Sequence, residues 1–249
     1  GLKVLDPIDA DPGAADRGTI VHDALEVFLR DHLDHLPDDA EARLIEVGRQ
    51  AFGDHLTRPG VRAFWWPRFK RIAHWFIADE RARRNGGALP VAVESAGEIE
   101  FNAPGGVFRL SAKADRIDRL GGGGLAIIDY KTGVAATAPQ AETGLEPQLP
   151  LEAAMAERGM FTDVAADEVR ALTYIRLSGG RVPGEVKTLK LDAHEVAENA
   201  WAGLQQLISE YDHPDKPYHS HLRPMRARET GDYDHLARVR EWLSEDDEP

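Results

Sequence analysis

The chain has 249 residues, an apolar fraction of 42% and a formal charge of −13, enough for one well-buried core and the wrong sign for a domain that grips nucleic acid through its bulk field. It has no cysteine, which excludes disulfides, thiolate zinc sites and cysteine-ligated iron–sulfur clusters, so any metal must use oxygen or imidazole ligands. No apolar run approaches the roughly 20 residues that cross a bilayer and no charged-then-apolar signal segment opens the chain, so no membrane partner is expected and the expected location is the cytoplasm.

The opening Gly1 to Pro7 starts without a cap or a full element and reads as the edge of a piece excised from a longer protein. Thr19 to Leu33 then predicts an amphipathic helix with Ile20, Ala24, Val27 and Phe28 at helical spacing, and His22 in its first turn. A lone helical histidine is usually a surface or packed residue. A second helix is predicted from about Asp39 to Leu56, broken by Pro59-Gly60. Pro67 fits the first turn of a third, with Phe69, Ile72, Ala73, Phe76, Ile77 and Glu80 forming its buried stripe and Asn85-Gly86-Gly87 ending it. The Lys and Arg residues between Arg58 and Arg84 read either as a solvated helix face or as a phosphate-contacting surface.

From Pro90 the period falls to two. Val91, Val93, Ile99 and Phe101 alternate with Glu94, Glu98 and Glu100, Pro104-Gly105-Gly106 turns the chain, and Phe108, Leu110, Ala112 and Ala114 alternate with Arg109, Ser111, Lys113 and Asp115. After the four glycines Gly121 to Gly124, Leu125 to Lys131 completes an antiparallel meander. A loop rich in Ala, Thr and Pro leads to a helix opened by Pro147, with Gln148 at its start. Val169 to Leu177 is a fourth strand, parallel to the third because a helix separates them, and Glu185 to Leu191 a shorter fifth. Asp192 with Glu195 caps a long helix that uses Val196, Ala200, Leu204, Leu207, Ile208 and Tyr211. Tyr233 to Leu243 is predicted as a last short helix, before the acidic run Glu245 to Glu248. The fold class is therefore α/β, a mixed sheet flanked by helices.

The chemistry gathers at the end of the third strand. Asp129 and Lys131, two apart, share one face, and the meander brings Asp115 beside Asp129. Two carboxylates and an ammonium at one end of a sheet suit a divalent cation held against a phosphate, with the Tyr130 carbonyl as a further hard ligand and His22 able to complete the shell. An imidazole would tilt the preference towards Mn²⁺ alongside Mg²⁺.

Gly18 to Glu26, Ala112 to Asp118 (Ala-Lys-Ala-Asp-Arg-Ile-Asp), Ile128 to Gly133 (Ile-Asp-Tyr-Lys-Thr-Gly) and Gln148 to Leu151 (Gln-Leu-Pro-Leu) together resemble the RecB-like nucleases of the PD-(D/E)xK superfamily. Within that family they look most like the C-terminal nuclease domains of AddB-type helicase–nuclease subunits, which process double-strand breaks. The resemblance spans roughly Gly18 to Leu177, with looser support from Tyr233 to Arg238. It implies a restriction-endonuclease-like core in one domain, divided into a helical part carrying the histidine (18–88), a catalytic sheet (89–191) and C-terminal helices and tail (192–249). It also implies that His22, Asp115, Asp129 and the Tyr130 carbonyl bind Mg²⁺ or Mn²⁺, that Asp115, Asp129 and Lys131 are catalytic, and that Gln148, Glu94, Arg116 and Thr132 support the site or touch DNA. DNA, as a single strand at the active site, and a helicase–nuclease partner subunit are the implied partners, and exonucleolytic phosphodiester hydrolysis the implied activity. The alternative is a catalytically inactive DNA-end or partner-binding module on the same fold.

Three departures from the family pattern carry expectations. Ala112 stands where glycine is usual. Glu152 replaces a tyrosine one turn after Gln148, which is expected to remove a stacking or hydrogen-bonding contact. The family's four-cysteine cluster has no counterpart, so packing of His213 to Leu243 against the first helix is expected to take its place.

Overall fold

A computed structural model describes residues 12–218. Tyr233 to Leu243, Tyr233 to Arg238, the acidic end and most of the segment expected to replace the cluster lie outside them. The elements in chain order are α1 (Ala14–Arg30), α2 (Ala40–Phe52), a 3₁₀ turn (Gly53–Thr57), a π turn (Val61–Trp65) and α3 (Trp66–Asn85). They are followed by β1 (Leu89–Ala103), β2 (Gly106–Arg119), β3 (Leu125–Lys131), α4 (Ala138–Glu142), α5 (Gln148–Glu157), β4 (Val169–Leu177), β5 (Gly184–Thr188) and α6 (Ala193–Tyr211).

The five strands form one sheet in the order β1-β2-β3-β4-β5. β1, β2 and β3 are an antiparallel meander, β3 and β4 are parallel, and β4 and β5 antiparallel. β3 is buried along its whole length until Lys131, because alternate side chains feed two cores. Ile128 and Tyr130 join Ile175 and Leu177 against α1, α2 and α3. Leu125 and Ile127 join Leu172 and Tyr174 against α5 and α6. The result is a helix–sheet–helix sandwich, the restriction-endonuclease-like arrangement expected from the sequence.

Several elements depart from their expected form. α4 falls in what reads as a loop, and its signal is the capping box of Thr137 with Gln140. β5 stops at Thr188, and the chain then leaves the sheet. α6 begins as expected, the Asp192 side chain accepting from the Glu195 N–H at 2.9 Å, but its buried residues are Ala193, Val196 and Ala197 while Leu207 stays half exposed. Towards its second half it meets the protruding β1–β2 ribbon, through a Trp201–Phe101 ring contact and a 2.8 Å hydrogen bond from the Gly105 N–H to Asp212.

β1 does not keep one apolar face. A register shift between Pro90 and Ala92 and a left-handed Glu94 (φ 49°) interrupt it, so Val91 and Ile99 pack on the α5 side and Val93 on the α1 side. The consequence is that Glu94 is turned towards the end of β2 where Asp115 lies.

Behind that point is a buried ionic knot. Arg116, fully enclosed, donates to Glu80 of α3 at 2.5 Å and to Asp118 at 2.5 and 3.0 Å, with the Tyr130 hydroxyl at 3.4 Å. Arg84 bonds the other Glu80 oxygen at 2.6 Å. Of the two roles the resemblance implies for Arg116, supporting the site or touching DNA, this placement favours the first: the guanidinium has no solvent exposure and carboxylates occupy both its flanks. It ties α3 to the sheet directly behind the tyrosine that separates Asp129 from Lys131.

α2 and α3 meet at Gly48, where a Cβ would lie 1.9 Å from the ring of buried Phe69. Gly48→Ala should cost about 1–3 kcal/mol through overpacking, read as a lower denaturation midpoint. An unchanged midpoint would mean that the two helices separate freely.

Candidate metal and catalytic site

β2 and β3 pair only as far as Arg116 opposite Ile128. One step further, Asp115 and Asp129 would face each other, but the Asp115 carboxylate takes the backbone's place and accepts from the Tyr130 N–H at 2.8 Å. The strands part there, and side chains from three other elements enter the gap. His22 of α1 brings its Nδ1 to 3.5 Å from Asp115 Oδ2. Glu94 of β1 enters beside them: ligand-capable atoms of His22, Glu94 and Asp115 all lie within 4.8 Å of one another. Lys113 pairs with Glu94 at 2.6 Å from the exposed side.

Asp129 faces α5. Its Oδ1 accepts from the Lys131 ammonium at 2.8 Å and from the Gln148 amide nitrogen at 2.8 Å. The Gln148 carbonyl oxygen in turn accepts from Lys131 at 3.3 Å, closing a triangle that fixes the lysine. Asp129 Oδ2 is buried and, among the described residues, has no hydrogen-bond partner. A histidine and two carboxylates within reach of one ion, with an unpartnered buried carboxylate oxygen on the neighbouring strand, are all hard or borderline donors and fit a divalent cation such as Mg²⁺ or Mn²⁺.

The electrostatics agree with that fit. Burial, with the Asp129 charge adding to it and His22 opposing, pushes the Asp115 carboxyl up to about 6. Burial also raises the Asp129 carboxyl, with Lys131 as the main opposing influence. Two acids held above their ordinary range next to each other lack positive charge, and a cation supplies it.

Of the residues singled out from the sequence, His22, Asp115 and Glu94 form one group, and Asp129, Lys131 and Gln148 form the adjoining one. Thr132 stands at the mouth, its hydroxyl 3.3 Å from where a Gly18 Cβ would be, so it packs on the start of α1. The Tyr130 ring points into the core and meets His22 edge-on at 6.0 Å between centroids.

Whatever contact the family's tyrosine makes, Glu152 makes one of its own. Its Oε1 accepts from the Gln148 amide nitrogen at 3.1 Å, the reach expected of positions four apart on a helix. Its Oε2 is buried and without a hydrogen-bond partner among the described residues. Burial, reinforced by the Asp129 and Asp115 charges and opposed by Gln148, drives the Glu152 carboxyl up to about 8. Reading position 152 only as a missing tyrosine hid this carboxyl.

A family model described as "PD-(D/E)XK nuclease superfamily" matches residues 1–242. Among curated proteins the chain is 27% identical over 154 residues to a protein of Rickettsia bellii (strain RML369-C), covering 62% of this chain and 18% of that one. It is 29% identical over 161 residues to a protein of Rickettsia typhi (strain ATCC VR-144 / Wilmington), covering 62% and 18%. Both are described as uncharacterised, and the chain spans about one fifth of their length. A solved structure described as that of SSO0001 aligns with 76% of this chain and 74% of its own at 14% identity, with a TM-score of 0.28. On the family match across nearly its whole length, the chain belongs to the PD-(D/E)XK nuclease superfamily.

Proposed function

We propose that the chain is the metal-dependent deoxyribonuclease module of an AddB-type helicase–nuclease, cutting one DNA strand at a time as an exonuclease in double-strand break repair and recombination. The observation that carries the catalytic part is the buried Asp129 oxygen without a partner among the described residues, on a carboxylate whose other oxygen holds a lysine tethered at two points, in the strand next to the one that brings Asp115 to His22 and Glu94. The assignment to a subunit larger than this chain is supported by the sequence motifs and by relatives several times its length. A helicase partner subunit and a cytoplasmic location belong to the same proposal. Among the described residues no helix is long and apolar enough to cross a membrane.

His22, Glu94, Asp115 and the free oxygen of Asp129 would hold Mg²⁺ or Mn²⁺, with the Tyr130 carbonyl completing the shell. The ion supplies Lewis-acid polarisation of the phosphodiester and a hydroxide source near neutral pH. Lys131, oriented by Asp129 and Gln148, presents its ammonium where negative charge grows on the phosphoryl oxygens or where the attacking water is positioned. Gln148 keeps the carboxylate and the amine in register, because its amide nitrogen faces the one and its oxygen the other.

Cleavage of end-labelled single- and double-stranded DNA by the full chain tests this. Nucleotide release is expected with Mn²⁺ or Mg²⁺ and none in a chelator. Absence of cleavage with both ions on both substrates, from folded protein, would exclude an autonomous nuclease.

A further inference from the structure

The structure divides the basic stretch of α3 in two. The arginines of its C-terminal half have partners within the chain: Arg81, exposed, bonds the Asp38 carbonyl, Arg83 pairs with Asp79 and Asp118, and Arg84 holds Glu80 and the carbonyls of His32 and Leu33. Its entry is different. Phe64, in the π turn that leads into α3, is 68% exposed, and Arg68 and Arg71, three apart in the first turns of α3, share one side of that helix. Arg71 spends only its Nε, on the Gly179 carbonyl at 2.8 Å. Among the described residues Arg68 has no hydrogen-bond or ionic partner, and Arg71 has no carboxylate partner.

This side carries the loop between β4 and β5. Gly179 lies so close that a Cβ there would be 2.6 Å from the Arg68 carbonyl oxygen. The loop adds Arg181, exposed and likewise without a partner among the described residues, and Val182, 65% exposed. It also lies at the catalytic end of the sheet. Arg176, just before it, is the register partner of Lys131 and donates to the Gly133 carbonyl at 3.1 Å, so the loop starts about one strand spacing, ~4.8 Å, to the side of Lys131. α3 runs antiparallel to β3, since its far end reaches Asp118, which pairs with Ala126 at the start of that strand.

We propose that Phe64 in the π turn, Arg68 and Arg71 on α3, and Arg181 on the β4–β5 loop form a track that guides single-stranded DNA into the cleft at Lys131; the proposal rests on the nuclease reading above. On a chain of charge −13, phosphate must be met by a local group of cations without competing carboxylates. An exposed ring among them suits unpaired bases, which offer a stacking face that a duplex keeps covered. The cations fix the backbone and the ring favours the single strand.

The test is binding of fluorescent oligothymidylate to the full chain in a chelator, where no cleavage occurs, across salt concentrations around 0.1 M. Removing two phosphate contacts with Arg68→Ala/Arg181→Ala should make the log–log salt dependence shallower by about 1.4 and weaken binding at 0.1 M about 25-fold. Phe64→Ala should weaken it about 5- to 100-fold with the salt dependence unchanged. Arg119→Ala/Arg170→Ala, at the opposite end of the sheet, should change the salt dependence by nothing measurable. Equal slopes for wild type and the Arg68/Arg181 variant, or a duplex of the same length binding more tightly than the single strand, would overturn the track. Binding without metal-dependent cleavage would instead count against the nuclease reading and leave the track standing, so the two failures are separable.

Discussion

Lys131→Ala should lower the single-turnover cleavage rate by about 10²–10³-fold, the usual cost of losing one preorganised donor at a site of developing charge, and leave the fold intact. Lys131 sits at the last position of β3 with about a third of its side chain exposed, so little packing is lost. The larger consequence falls on Asp129, whose carboxyl burial raises and Lys131 chiefly holds down. Without the ammonium that carboxyl rises further, so a cation must displace a proton over a wider pH range. Mn²⁺ titrations should therefore show affinity in the variant setting in at higher pH than in the wild type, where binding already weakens as pH falls through about 6 and Asp115 takes up its proton. Lys131→Arg should not restore the rate, because a planar guanidinium cannot occupy the corner between Asp129 Oδ1 and the Gln148 oxygen as a compact ammonium does. A variant that cleaves at the wild-type rate, or binds Mn²⁺ with an unshifted pH dependence, would separate Lys131 from the chemistry.

Most of the frame of this site is legible in the sequence because the signals are local. Four apolar residues before Asp129 mark a strand buried on both faces, the Asp192–Glu195 pair marks a helix start, and a helix between β3 and β4 makes them parallel. What escapes depends on partners far along the chain. Glu94 enters the sequence reading through the resemblance alone; the break in the alternation of β1 that brings it to His22 and Asp115, at a left-handed residue that no glycine announces, is not legible there. Arg116 enters through the motif as a residue that supports the site or touches DNA, and the buried knot it centres with Glu80, 36 residues away, is set by tertiary packing. The stripe on α6 is truly apolar, yet nothing local says that the sheet ends under Ala197. Periodicity reports which face of an element is apolar; how far a neighbour extends to cover it is a tertiary property.

Glu152→Gln should stabilise the protein, and increasingly so as pH rises. The wild-type carboxyl is buried beside Asp129 and Asp115 with one oxygen unpaired, and its ionisation is pushed from an ordinary 4.5 up to about 8. Between those values the folded chain keeps a proton that the unfolded chain gives up. Stability contributed by this group is thus fully present below about pH 4.5, falls as pH rises, and levels off above about 8. At pH 7 the loss is about 3 kcal/mol for a group this enclosed. Glutamine has no proton to lose and can still offer its oxygen to the Gln148 amide, so the Lys131–Gln148–Asp129 triangle should survive and metal-dependent cleavage with it. Denaturant midpoints of wild type and Glu152→Gln, measured in a chelator from pH 4.5 to 8.5, should coincide at the acid end and diverge steadily towards the alkaline end. Parallel profiles would mean that position 152 ionises as an ordinary surface carboxylate. Divergence together with lost cleavage would mean that the carboxyl itself, and not only its hydrogen bond to Gln148, is needed at the site.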